Sequence, residues 1–282
     1  MFVYTAMLLT LLAFPVMGMM SDGARSSGLG GAGTALNGFW SVLTNQAGLA
    51  GHRSLTAGVS VEQRFLLLET GWAAVAIAWP LGRNAFGVSF QQFGNAVFRE
   101  TKTGIALARS FGEKVSLGIQ LDYLATSISG GYGRSAGITF EVGMQVSLTD
   151  RLLLAAHAFN PMAFRYKRNP GEAAEGSFAL GMLYRFSQQV RMILETGKDL
   201  RYKPVIRCGL EVEYSPLAIV RMGYSSPPVP VHSSAYHQAS VLSFGYGLKF
   251  KHMHLELGAW LHNVLGWSPA VSMFYDIRRF DP

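Results

Sequence analysis

The residues to test first for chemistry are the seven histidines. His252 and His254 are two apart, which on a strand puts both imidazoles on one face, where a metal ion could use them. No third ligand can be read beside them, so they read as polar residues at a strand end. His232 and His237 bracket Ser233 and Ser234, but a serine hydrolase needs a positioned base and an oxyanion hole. Neither is legible there. Gly28 to Gly33 spells G-x-G-x-x-G, yet a dinucleotide site needs a preceding strand, a following helix and an acid about 20 residues on. The first acid after it is Glu62. The expectation is therefore a protein without catalytic residues, cofactor or metal. What remains is an ionisable set at the polar positions of alternating stretches: Asp122, Glu141, Arg185, Arg191, Glu195, Arg207, Glu211, Glu213, Arg221, Lys249 and Glu256. Mixed signs on adjacent segments suggest cross-strand ion pairs around a hydrated or plugged interior. A substrate path through the same interior is the alternative reading.

The elements that would position these groups are strands. Residues 139–148, TFEVGMQVSL, send Phe140, Val142, Met144, Val146 and Leu148 one way and Glu141, Gln145 and Ser147 the other. Such alternation recurs in about fourteen segments: 54–63, 66–79, 84–93, 98–110, 115–128, 135–148, 152–160, 175–187, 190–198, 204–214, 218–225, 239–250, 253–264 and 268–279. Alternating segments of about ten residues are the signature of a transmembrane β-barrel. The apolar face would then meet lipid and the polar face a lumen. Short turns follow the even-numbered segments, while the longest connections, 161–174 and 226–238, follow odd-numbered ones. Outer-membrane barrels keep short turns in the periplasm, so both termini are expected there.

Composition agrees with this class. Of 282 residues, 49% are hydrophobic and only 15% charged, against about 25% in soluble domains. The net charge of +7 comes from scattered residues whose densest group is Arg165 to Arg168. That is a loop-sized patch, so no nucleic-acid partner is expected. The lone Cys208 alternates with Ile206 and Leu210 and reads as a small strand residue. Residues 1–18 form an apolar stretch ending in Val16-Met-Gly18 and are read as an export signal. Residues 19–53 do not alternate and are read as a plug-like segment; 54–282 are the barrel.

This non-alternating segment carries a resemblance. Gly28, Gly30, Gly31 and Gly33, then Phe39 to Ser41, then Asn45-Gln-Ala-Gly-Leu-Ala50 with Gln46 and Gly48, resemble the opening of FadL-like outer-membrane proteins and their PorV/PorQ relatives. Those families carry an Asn-Pro-Ala-Gly type motif; here position 46 is Gln. Residues 118–123, 156–161, 195–200 and 262–269 are also similar to the PorV/PorQ-like group. The resemblance implies a fourteen-stranded barrel in a Gram-negative outer membrane, with the amino-terminal segment in its lumen. It also implies one of two roles. The first is a PorV/PorQ-like accessory of type IX protein secretion or surface attachment, with protein partners; the second is a FadL-like channel for hydrophobic small molecules. The charged lumen and short loops favour the accessory.

Overall fold

The computed structural model describes residues 21–130, 133–162, 176–199, 203–226, 240–263 and 265–280. The expected export signal, the loop holding His232 and His237, and the basic group Arg165 to Arg168 lie outside them. Fourteen strands follow the plug: β1 (Ser54–Gln63), β2 (Gly71–Leu81), β3 (Asn84–Gly94), β4 (Phe98–Phe111), β5 (Val115–Ile128), β6 (Gly133–Ser147), β7 (Leu152–Phe159), β8 (Ser177–Arg185), β9 (Val190–Asp199), β10 (Val205–Ser215), β11 (Ala218–Ser225), β12 (Val241–Phe250), β13 (Met253–His262) and β14 (Gly266–Arg279). Each pairs antiparallel with its chain neighbours, and β1 closes onto β14 from Ser54↔Arg279 to Glu62↔Ala270. Closure removes every sheet edge, so the ladder bonds satisfy the backbone without water.

Period-two patterning decides which way each side chain faces. Ile77, Val88, Ile105, Ile119 and Val142 are exposed on the outside, while Glu141 and Gln145 are buried inside. An apolar surface around the whole circumference is far larger than a soluble monomer presents, and lipid is the solvent it suits. Cys208 shares this outer face and is partly covered.

The second strand starts at Gly71 rather than at 66. The run Phe65-Leu-Leu-Leu68 is apolar but does not alternate, and local bonds capture it. Thr70 Oγ1 donates to the carbonyls of Arg64 and Leu67, closing two short 3-10 turns, and Phe65 and Leu66 take φ of 55° and 56°. The tight turns β2–β3 and β4–β5 place Gly82 and Gly112 at φ 61° and 66°, where a Cβ is disfavoured. These and the other turns after even-numbered strands lie at the same end of the barrel as the start of β1 and the end of β14. We call it the turn end, and the opposite one the loop end.

Candidate functional site: the plugged lumen

Residues 21–53 fold inside the barrel. A four-residue helix α1 (Ala24–Ser27) and 3-10 turns at Phe39–Val42 and Gln46–Leu49 hold the chain compact, and Leu29, Val42, Asn45, Gln46 and Leu49 are fully buried. The wall makes room by placing glycine at inward positions where the plug backbone comes closest. A Cβ on Gly258 would strike Ala24, on Gly245 the Cα of Gly28, on Gly223 the Leu29–Gly30 peptide, on Gly118 the Gln46–Ala47 peptide, and on Gly143 the Asn45 side chain. Gly209↔Gly223, Gly245↔Gly258 and Gly118↔Gly143 are cross-strand partners, so the small residues form paired notches. The motif glycines complement them. Gly30 and Gly31 have φ of 72° and 79°, and a Cβ on Gly30 would meet Tyr224 O at 2.5 Å. The G-x-G-x-x-G is thus a packing surface, not a phosphate cradle.

Carboxylates of the wall hold the plug at two levels, by an ion pair at one and by hydrogen bonds from neutral groups at the other. Towards the turn end, Glu211 accepts from Arg25 Nε and Nη2 at 3.0 Å each and from Arg221 Nε at 2.7 Å. Arg221 also donates to Glu256 at 3.1 Å, and Glu213 accepts from Arg191 and Lys249 at 3.0 and 3.1 Å. Towards the loop end, Glu141 accepts from Lys102, from Gln46 Nε2 at 2.7 Å, and lies 2.9 Å from His157 Nε2. Asp122 accepts from Gln120 at 2.8 Å and lies 3.9 Å from Lys102. Glu195 accepts from the N–H groups of Gly33 and Thr34 at 2.9 and 2.8 Å and from Arg207 at 2.6 Å. Glu62 accepts from Ser21, Ser27 and Arg64. Charge-assisted bonds of this kind are the strong class; those from Arg25, Gln46, Gly33, Thr34, Ser21 and Ser27 end on the plug, and the rest tie wall strands to one another.

Of the residues singled out in the sequence, Arg185 alone sits at the rim, donating to the Asp150 carbonyl at 3.0 Å. The others lie in the networks above. Gln46 does more than replace a proline: its amide reaches Glu141, while Asn45 caps the following turn by accepting from Ala47 N at 3.2 Å and donates to the Thr34 carbonyl at 2.9 Å. Arg25, Glu62 and Lys102 were not anticipated. Lys102 lies in Arg99-Glu-Thr-Lys-Thr103, where neither face is apolar and alternation carries no direction. Arg25 lies in the plug, where no period exists. His254 sits 3.5 Å from Asp276, and His252 packs near the Tyr275 ring. Among the described residues, no three His, Cys, Asp or Glu side chains form a metal-binding group.

Asp22 is the plug group whose titration the site controls. Burial pushes its carboxyl up to about 7, with Glu195 adding to the rise and Arg207 and Lys102 opposing it. A carboxyl held above its unfolded value weakens the seated plug as pH rises from the ordinary carboxyl range to about 7. Asp22→Asn is therefore expected to raise the melting temperature at pH 8 and leave it nearly unchanged at pH 4. Thermal melts at the two pH values check this.

The plug's own ion pair, Arg25–Glu211, lies on its β10 side. The other side is apolar. Phe39, Trp40, Val42, Leu43 and Leu49 pack on Trp72, Ala74, Ala76 and Ala78 of β2, Ala85 and Phe93 of β3, and Ala106 and Ala108 of β4. This seam runs from Trp72 and Phe93 near the loop end to Ala78, Ala85 and Ala108 near the turn end. Six of these eight wall residues are alanine, so little side chain protrudes at the turn-end half of β2 to β4, while Gln91, Glu100 and Lys102 also face inward towards the loop end. A cavity of about 70 Å³ adjoins it, bordered by Asp22, Arg25, Phe39, Trp40, Thr44 and Phe274. That volume holds a few waters and is about half that of a cavity that takes up benzene, roughly 150 Å³.

The closed fourteen-stranded antiparallel barrel is shared with solved outer-membrane barrels, among them two described as hydrocarbon transport proteins and one as a FadL homologue. The chain superposes on the CymD monoaromatic hydrocarbon channel with a TM-score of 0.73 at 14% identity, covering 93% of this chain and 99% of that one. The P. putida toluene transporter TodX gives 0.70 at 14% identity, covering 93% and 100%. A Pseudomonas aeruginosa FadL homologue gives 0.67 at 10%, covering 91% and 98%. At such identities the likeness establishes the fold alone. No protein-family model and no curated protein sequence matches the chain.

Proposed function

We propose that the protein is a plugged outer-membrane channel that admits a hydrophobic small molecule, with the turn end and both termini in the periplasm. The observation that carries this reading is the apolar, alanine-walled seam between the plug and β2–β4. The Arg25–Glu211 ion pair holds the opposite side of the plug, so a small displacement at Phe39 to Leu43 would open the seam while Arg25, Gln46 and the Gly33–Thr34 amides keep their bonds. The structural neighbours described as hydrocarbon channels support a channel over the secretion accessory that the charged lumen first suggested. Several of those charges are engaged in seating the plug, which removes one of the two reasons for preferring an accessory and leaves the short loops as the other.

Native mass spectrometry of protein extracted gently from its own membrane tests this. A retained apolar small molecule without a polypeptide partner is the expected result. A stoichiometric co-purifying polypeptide with no small molecule would return the accessory reading.

A further inference from the structure

Cations inside the barrel are matched, and those at its turn end are not. Arg25, Arg64, Lys102, Arg191, Arg207, Arg221 and Lys249 all form salt bridges to carboxylates. At the turn end, Arg83, Arg109, Lys114, Arg151, Lys251 and Arg279 are exposed and form no salt bridge among the described residues. The exposed acids described at that end are Glu113 and Asp150. The rim therefore carries an uncompensated positive charge.

Its position identifies what it faces. Outward aromatics Trp79, Phe86, Phe111, Tyr214, Phe250 and Tyr275 are exposed at the same end, forming the girdle that barrels place at the membrane–water boundary. The cations lie level with this girdle or just beyond it: the Arg109 guanidinium sits 5.6 Å from the Phe111 ring centroid. They come from the end of β4, the turns β2–β3, β4–β5, β6–β7 and β12–β13 and the end of β14, so they line the sector from β12 round to β7, and none of the six lies at the turns β8–β9 and β10–β11. Cations at the height of the aromatic girdle stand where lipid headgroups meet the barrel, and this level, shared by turns on eight of the fourteen strands, is what assigns them to lipid.

We propose that the turn-end rim binds the phosphates of anionic phospholipids in the adjoining leaflet. The choice of phospholipid over lipid A rests on the periplasmic placement of the turn end; the binding itself does not depend on the channel reading. Each cation near an anionic surface adds substantially to binding. Removing six should reduce the preference for an anionic over a zwitterionic lipid by roughly tenfold or more.

The test uses the full mature chain in detergent micelles doped with equimolar phosphatidylglycerol, phosphatidylcholine and lipid A, with retained lipids counted by native mass spectrometry. Wild type is expected to retain phosphatidylglycerol preferentially. The variant R83Q/R109Q/K114Q/R151Q/K251Q/R279Q should lose that preference while keeping its heat-modifiable gel mobility. If that variant does not fold, the two triple variants, R83Q/R109Q/K114Q and R151Q/K251Q/R279Q, are each expected to lose part of it. In wild type the preference should fall at about 0.5 M salt, where exposed charges are screened. Equal retention of the two phospholipids, preferential retention of lipid A, an unchanged preference in the folded variants, or an acidic polypeptide displacing the lipid would each overturn the proposal.

Discussion

Gly223→Val is expected to leave the barrel closed and unseat the plug. Valine is a favourable residue within a strand, so β11 itself gains rather than loses by the change. The new Cβ, however, lands on the Leu29–Gly30 peptide, well inside van der Waals contact. That peptide has nowhere to retreat. A Cβ on Gly209 would already stand 2.8 Å from Leu29 Cβ, and Gly30 lies against the backbone of Tyr224. Overpacking of a well-filled core costs about 1–3 kcal/mol where side chains can yield, and here the obstacle is backbone. The measurement is limited trypsin digestion in detergent. A new cut after Arg25 should appear in Gly223→Val, while the barrel keeps its resistance and its heat-modifiable mobility. A plug as well protected as in wild type would show that the glycine notches do not set its seat. Gly30→Ala is the companion change, since φ of 72° disfavours any side chain there.

The second large effect is expected at Glu211. Its carboxylate serves Arg25, Arg221 and Arg191 together, and Arg221 is almost fully buried. Glu211→Ala leaves Arg25 without a carboxylate and Arg221 and Arg191 with one each, Glu256 and Glu213, and breaking a buried pair from one side costs up to about 3–5 kcal/mol. A marked fall in thermal or denaturant midpoint is the expected reading. The double change Glu211→Ala with Arg25→Ala should recover part of the loss, because the cation left without a carboxylate is removed along with its partner. A double variant no more stable than the single, or an unaltered midpoint in the single, would mean that the network is not what holds this region together.

The parts of this structure that could be read in advance are those that repeat with period two. Strand limits such as 54–63, 115–128 and 218–225 match the observed ends because apolar and polar positions alternate up to a turn residue. The inward acids and bases followed from the same parity. Direction failed where parity was silent, at Lys102 among polar neighbours, and strand type failed at Phe65 to Leu68, where hydrophobicity did not alternate. The plug seat was harder for a different reason. Gly118, Gly223 and Gly258 look like weak strand residues until the chain that fills their notches is in place. Ala74, Ala76 and Ala78 likewise read as filler within β2, although together they make the apolar seam. Charge was legible and alanine was not, so the lumen first looked more polar than the half of it facing β2–β4 turns out to be.

The seam gives the most direct test of the channel. Ala76→Phe places a ring between the wall and the plug at the middle of the seam without touching the ion pairs on the other side. The measurement is uptake of a radiolabelled apolar solute, such as toluene or a medium-chain fatty acid, by Gram-negative cells that lack their own apolar-solute channels. Cells carrying the wild-type protein should take up one of these solutes faster than empty cells. Cells carrying Ala76→Phe, at the same level in the outer membrane, should fall back towards the empty-cell rate. Uptake by the wild type no faster than by empty cells for either solute, or undiminished uptake with the seam filled, would contradict it.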